Sequence, residues 1–317
     1  MPQILADGLL LLVTVIWGTT FVLVKEAISS VKPFTFLAVR FFIGGLSLVL
    51  WLVVRRVLPS LRAQARVSRA QAQAPDNGAG EACPCLSGDV QAGDNTRKRF
   101  LMGSAVTGVT LLLAYATQTF GLLTVAAGKA AFITGLSVVM VPIASAFLLK
   151  TVPDRSTVAG VILATIGLGL MSLTFPFRIE PGDLLVFLCA MGFAAHILLV
   201  GIYARDNDPL VFAAIQLMVV AVGSFGAALL LEQPLSVPKE SWGAIVYTAT
   251  IATALTVLIQ SAVQKYTSST HTALIFSAEP VFGAFFAWIM LGEVLSSREM
   301  LGAVFILAGM LVSEIDP

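Results

Sequence analysis

Charge is what this sequence has least of. Only 12% of its 317 residues are Asp, Glu, Lys or Arg, about half the share of an ordinary soluble domain, while 57% are hydrophobic. That balance excludes a soluble globular fold. The net charge of +1 leaves no basic surface for nucleic acid, so the few cations act by position. Histidine occurs twice and cysteine three times, which excludes a disulfide framework. Cys83 and Cys85, separated by one proline, lack the further Cys or His of a four-ligand zinc site, so neither a metal nor a cofactor is expected. No phosphate-cradling glycine loop followed by Lys occurs, which argues against ATP hydrolysis, and no HExxH pair is present.

What the chain does have is long apolar runs. They fall near residues 5–24, 34–54, 100–121, 126–149, 156–176, 183–203, 209–231, 241–263, 270–291 and 297–314, each about the length that crosses a hydrocarbon core. The expected fold is an all-α polytopic membrane protein of ten transmembrane helices. The first run has no basic flank or cleavage site and is longer than a signal-peptide core, so it is expected to stay in the mature protein. Residues 55–99 break the pattern: they hold eight of the nineteen basic residues, among them Arg55, Arg56, Arg62, Arg66 and Arg69. By the positive-inside rule this segment is cytoplasmic, and both termini with it. Its part from 58 to 99 reads as a disordered, low-complexity spacer.

The chain also resembles itself. The run from Ser269 to Glu293 carries Glu279-Pro280, and the run from Gly128 to Lys150 carries Pro142; both prolines are read as helix breaks. A shift of 142 residues places Gln118 on Gln260, Lys129 on His271, Gly160 on Gly302 and Gly167 on Gly309. The repeats are residues 1–57 with 100–176, and 177–317. Five spans per repeat is an odd number, so the second copy crosses the membrane inverted, and substrate is expected near the midplane between the halves.

Several side chains are candidates for that site. Trp17 and Lys25 share a face of the first span with Thr14, Gly18 and Phe21, either lining a cavity or anchoring at the interface. Tyr115 and Gln118, near Thr107 and Thr110, and Gln260, near Thr253, Thr256 and Gln264, either line the cavity or bond neighbouring helices; their matched positions favour the cavity. Lys129 and His271 open their spans as cationic helix starts suited to an anionic substrate, or as interfacial anchors. His196 lies mid-span as a packed core residue or a proton carrier. Arg40 reads as structural, paired with Glu26 or placed at the outer headgroups. Glu279 is the strongest candidate, because a carboxylate inside a membrane is costly and can bind and release protons; it also fits hydrogen bonding to broken backbone or pairing with Lys129 or Lys25.

These residues resemble a known family. WGTTFVLVKEA and FTFLAVRFF in the first two spans, ATQTFGLLTVAAGKAAFITGLSVVMVP in the third and fourth, and TALIFSAEPVFGAFFAWIMLGEVLS in the ninth are similar to the drug/metabolite transporter superfamily, specifically its EamA-like permeases. Trp17, Lys25, Gln118, Lys129 and Glu279-Pro280 match the family pattern, from which the long basic loop departs. The resemblance implies a ten-helix permease with both termini inside, moving small metabolites, often amino acids or drug-like molecules, and frequently outward. The expectation is a secondary transporter of a bacterial inner membrane, in contact with the lipid bilayer and a small-molecule substrate, with proton coupling through Glu279 or His196. Two rivals stand beside it: an intramembrane enzyme using His196, His271 and Glu279, and a membrane receptor that docks a partner on its basic loop.

Overall fold

The computed structural model describes residues 1–73, 90–150, 152–173, 180–205, 207–291 and 295–313; the side chains of 58–73 and 90–95, and those of Phe21, Val22, Lys25, Ala127, Ala287, Met290 and Leu291, lie outside the described set. Cys83 and Cys85 lie outside it as well. In hydrocarbon the backbone finds no water, so every N–H and C=O must be paired within its own segment. Each described apolar run is accordingly helical.

In chain order the helices are α1 (Gln3–Gly18), α2 (Thr20–Ser30), α3 (Pro33–Gln73), α4 (Val90–Gly121), α5 (Ala127–Gly135), α6 (Ser137–Leu148), α7 (Arg155–Ser172), α8 (Pro181–Tyr203), α9 (Pro209–Leu231), α10 (Trp242–Ala249), α11 (Thr256–Val263), α12 (Ser269–Phe276), α13 (Glu279–Leu291) and α14 (Ser297–Ser313). A π-helical segment, Thr250–Leu255, joins α10 to α11. Among the described residues, seven stretches are by length and composition able to cross a membrane: 33–57, 96–121, 128–148, 155–172, 181–203, 209–231 and 239–266. The other three apolar runs appear as the α1/α2 pair, the α12/α13 pair and α14. Helix α3 continues past its apolar run to Gln73, and α4 begins at Val90, so both ends of the basic segment are helical.

Polarity is arranged inside out relative to a soluble protein. Leu50, Phe147 and Leu230 are 61%, 82% and 85% exposed, whereas Arg40, His196, Gln216 and Gln260 are all at 3% or less. Large apolar side chains outward and polar ones inward is the distribution that lipid requires of a multi-pass membrane protein.

Two contacts lock the bundle. Glu232, just past α9, caps α3: its carboxylate accepts from Phe34 N (2.8 Å), Thr35 N (2.8 Å) and the Thr35 hydroxyl (2.9 Å), which satisfies donors the helix start leaves open. Helices α7 and α14 approach through glycine. A Cβ on Gly160 would fall 2.5 Å from Gly309 O, and one on Gly167 2.5 Å from Gly302 O. The pairing order reverses along the chain, so the two helices run antiparallel with their backbones nearly touching.

Pro142 does not break its helix. It lies inside α6, and the interruption falls earlier, at Leu136. Only the one carbonyl that Pro142 cannot serve is lost within the turn, and the packed surroundings of Val138 and Val141, both fully buried, hold the helix together.

The glycine contact makes a prediction. Gly167→Val should lower the melting temperature of the detergent-purified protein, since overpacking a tight contact costs about 1–3 kcal/mol. Gly226→Ala, where nothing lies within 4 Å of an added Cβ, should leave it unchanged or raised.

Candidate functional site

The interruptions of two helices meet at one place. Between α5 and α6 the chain tightens at Leu136, whose N–H is shared by Phe132 O and Ile133 O at 3.2 Å each. Between α12 and α13 it does so at Ser277, whose N–H reaches Ala273 O and Leu274 O at 3.1 Å and whose hydroxyl donates to Leu274 O at 2.6 Å. The second interruption comprises Ser277 and Ala278, and the same 142-residue shift places Leu136 on Ala278. Pro280 is the second residue of α13, where its missing N–H has no partner to lose, so Glu279-Pro280 starts a helix rather than kinking one.

Both breaks face a central cavity. Thr134, Gly135 and Ser137 line it from one side, Phe276, Ser277, Glu279 and Pro280 from the other, and Trp17, Arg40, Tyr115, Gln118, Phe193, His196 and Gln260 complete much of the wall. Six of the nine residues singled out in the sequence are therefore brought together: Trp17, Tyr115, Gln118, His196, Gln260 and Glu279. The Lys25 side chain lies outside the described residues.

Most polar groups of the wall are held by protein. Trp17 Nε1 donates to Ala252 O (3.1 Å) and lies 3.2 Å from the Thr256 hydroxyl, with its ring edge-on to Phe276 at 4.8 Å. Ala252 belongs to the π segment, which loosens the helix there and presents a carbonyl to a side chain. The Tyr115 ring meets Phe41 at 4.9 Å and Phe193 at 5.3 Å, both edge-on. His196 Nε2 lies 2.8 Å from Gln216 Oε1. Because Gln216 Nε2 donates to Phe212 O at 3.2 Å, its Oε1 accepts and the imidazole carries its hydrogen on Nε2. Gln260 Nε2 donates to Gln264 Oε1 (3.0 Å), and Gln264 Nε2 to Ile197 O (2.6 Å), which ties α11 to α8.

Glu279 differs. Among the described residues it forms no ion pair and no side-chain hydrogen bond, although it sits in the cavity wall. Lys129, one of its expected partners, instead donates to Asp183 Oδ2 at 2.6 Å, and that oxygen also accepts from Glu180 N at 2.7 Å. Lys129 thus joins α5 to the start of α8 and does not line the cavity. His271 does not either. Its N–H donates to the Ser268 hydroxyl (3.0 Å) at the start of α12, and it borders a second cavity with Gln3, Asp154, Arg205 and Ser313.

Arg40 is the correction. It neither pairs with Glu26, which is exposed, nor reaches headgroups: it is 3% exposed in the cavity wall, with Nε donating to the Thr253 hydroxyl at 2.7 Å. A lone arginine in an apolar run ordinarily seeks water, which is why the headgroups were its expected place. The signal that could have found it is its aromatic company, Phe36 and Phe41 at i−4 and i+1. Among the described residues no three His, Cys, Asp or Glu side chains gather as metal ligands.

Interrupted helices meeting around a buried, polar-lined cavity inside an apolar bundle form the kind of architecture expected of a membrane transporter. The model of the EamA-like transporter family matches residues 4–70, 85–173 and 180–314, and the chain belongs to that family. It is 31% identical to an uncharacterized transporter of Archaeoglobus fulgidus over 98% of this chain and 86% of that one. It is 22% identical to the uncharacterized transporter YoaV of Bacillus subtilis over 95% and 94%. A crystal structure superposes with a TM-score of 0.73 over 98% of each chain at 17% identity, a likeness of fold alone.

Trp17→Phe removes the donor to Ala252 O while Thr256 still serves that carbonyl at 2.9 Å. The expected result is a modest loss of stability, about 0.5–1.5 kcal/mol, read as a lower melting temperature.

Proposed function

We propose that this protein is a secondary transporter of a bacterial inner membrane that exports small metabolites or drug-like molecules by alternating access. In this reading ten spans form two inverted five-helix halves, both termini are cytoplasmic, and substrate binds in the central cavity between the halves. Three features support it: helix breaks matched across the 142-residue shift, Gln118 and its counterpart Gln260 lining one cavity, and the crossed glycine pairs of α7 and α14.

The single observation that carries the reading is Glu279. It stands at the first turn of a helix that begins inside the bundle, in a cavity wall, with no ion pair or side-chain hydrogen bond among the described residues. A carboxylate so placed is free to exchange a proton for substrate, and it is the proposed coupling group. His196, held by Gln216, is the lesser candidate. The enzyme reading loses ground because its three residues do not meet: His271 borders a different cavity from His196 and Glu279.

Counterflow into proteoliposomes tests the proposal, with pooled labelled amino acids, nucleosides and aromatic drugs. The wild type should show competable uptake that responds to an imposed pH gradient. Glu279→Gln should retain the wild-type elution profile and lose gradient-driven uptake by about tenfold or more, the scale expected when a coupling proton is lost. Uptake in Glu279→Gln equal to wild type removes Glu279 from the mechanism, and uptake indifferent to the gradient removes proton coupling.

A further inference from the structure

Arg40 is a guanidinium buried within the membrane-spanning part of the protein, and it has been given no counter-charge. Among the described residues no carboxylate pairs with it. Its polar neighbours are the hydroxyls of Thr253, which accepts from Nε at 2.7 Å, and of Tyr115. The rest of its surroundings are aromatic: the guanidinium carbon lies 5.1 Å from the Tyr115 ring centroid, 5.5 Å from that of Phe41 and 5.9 Å from that of Phe36. Ring faces attract a cation and hold the planar group in place, but they accept none of its strong hydrogen bonds. An arginine inside a bilayer protein is normally paired or faces a wet cavity. This one faces the cavity that Glu279 also lines.

The π segment bears on the same point independently. Thr253, the anchor of Nε, lies within Thr250–Leu255, and the neighbouring Ala252 O receives Trp17. One irregular turn therefore positions both the arginine and Trp17, two residues of the cavity wall. Such turns recur where a helix has been adapted to a site.

Resting on the reading of the central cavity as the substrate site, we infer that Arg40 is a specificity-determining residue that receives a carboxylate of the transported molecule. With Nε committed to Thr253 and the Tyr115 hydroxyl engaging the guanidinium as well, N–H groups of the two terminal nitrogens are still left over, and a flat pair of donors matches a flat pair of carboxylate oxygens. Glu279 in the same cavity disfavours a doubly charged anion such as a phosphate monoester, leaving a single negative charge as the fitting one. Trp17, Phe193 and Phe276 in the wall suit an apolar or aromatic body behind that charge. The class is therefore an organic monocarboxylate with an apolar body.

The test compares acids with their uncharged amides: phenylacetate with phenylacetamide, and N-acetylphenylalanine with N-acetylphenylalaninamide, added at millimolar concentration to the detergent-purified protein while its melting temperature is followed. Each acid should stabilise the wild type, and its amide should not. In Arg40→Lys the acid should bind roughly tenfold more weakly or worse, because a point charge replaces the fork. Thr253→Val, which keeps the charge and the shape but frees Nε, should weaken the acid by a smaller factor and thus serves if Arg40→Lys does not fold. Amides that stabilise as well as acids, acids that stabilise nothing, or acid binding untouched by Thr253→Val and Arg40→Lys would each overturn the inference. Failure here stays separate from failure of the transport reading. Counterflow of a cationic or neutral substrate with no preference for acids sinks only the role of Arg40, whereas acid binding without counterflow sinks the transporter mechanism and leaves the binding site standing.

Discussion

Everything in this molecule answers to one constraint: in the hydrocarbon layer an unpaired backbone N–H or C=O has no water to turn to. Continuous helix is the default solution, and the chain departs from it only where protein or a cavity surrounds the departure. Leu136 and Ser277 each share an N–H between two carbonyls, and the Ser277 hydroxyl adds a third contact to the second break. The π segment leaves Ala252 O to Trp17 and Thr256. The two breaks adjoin one cavity, lined by Gly135 and Ser137 at the first and by Ser277 and Glu279 at the second, while the π segment reaches that wall through the partners it holds, Trp17 and Arg40.

The same constraint sorts the polar side chains. Threonines along α4 return their hydroxyls to their own helix, as Thr107 does to Gly103 O and Thr110 to Thr107 O, and so leave no polar demand on the lipid. Longer amides bridge helices: Gln216 holds His196, and Gln264 links Gln260 to α8. What remains after this accounting is a cavity lined by Arg40 and Glu279, a cation clasped by aromatic rings and an acid without a partner among the described residues. A transporter needs groups whose bonding is incomplete in the protein alone, since a fully satisfied wall has nothing left to offer a substrate. Membership of the EamA-like family and this unfinished bonding point the same way.

Much was legible without coordinates. Scarce charge and long apolar runs are sums over many residues, so they survive errors at any single position and were enough for an all-helical membrane protein. The 142-residue shift carried further, because several residues it matches come to shared places in the structure. Gln118 and Gln260 reach one cavity, and Gly160 and Gly167 meet Gly309 and Gly302. Other matches did not carry: Lys129 and His271 share a register but not a neighbourhood, since Asp183 draws Lys129 to the start of α8 while His271 borders a separate cavity.

The sequence by itself determined where the chain is apolar and how little charge it carries, since hydropathy and composition are local properties. Only the tertiary structure decided that the first-half break lies at Leu136 rather than Pro142, that Arg40 lies inside the cavity wall, and that Lys129 belongs to an ion pair. The physical reason is that the pairing of a polar group depends on which distant segments reach it. Thr253 finds Arg40 across more than two hundred residues of chain, a separation of 213, and nothing in either neighbourhood of the sequence encodes the meeting.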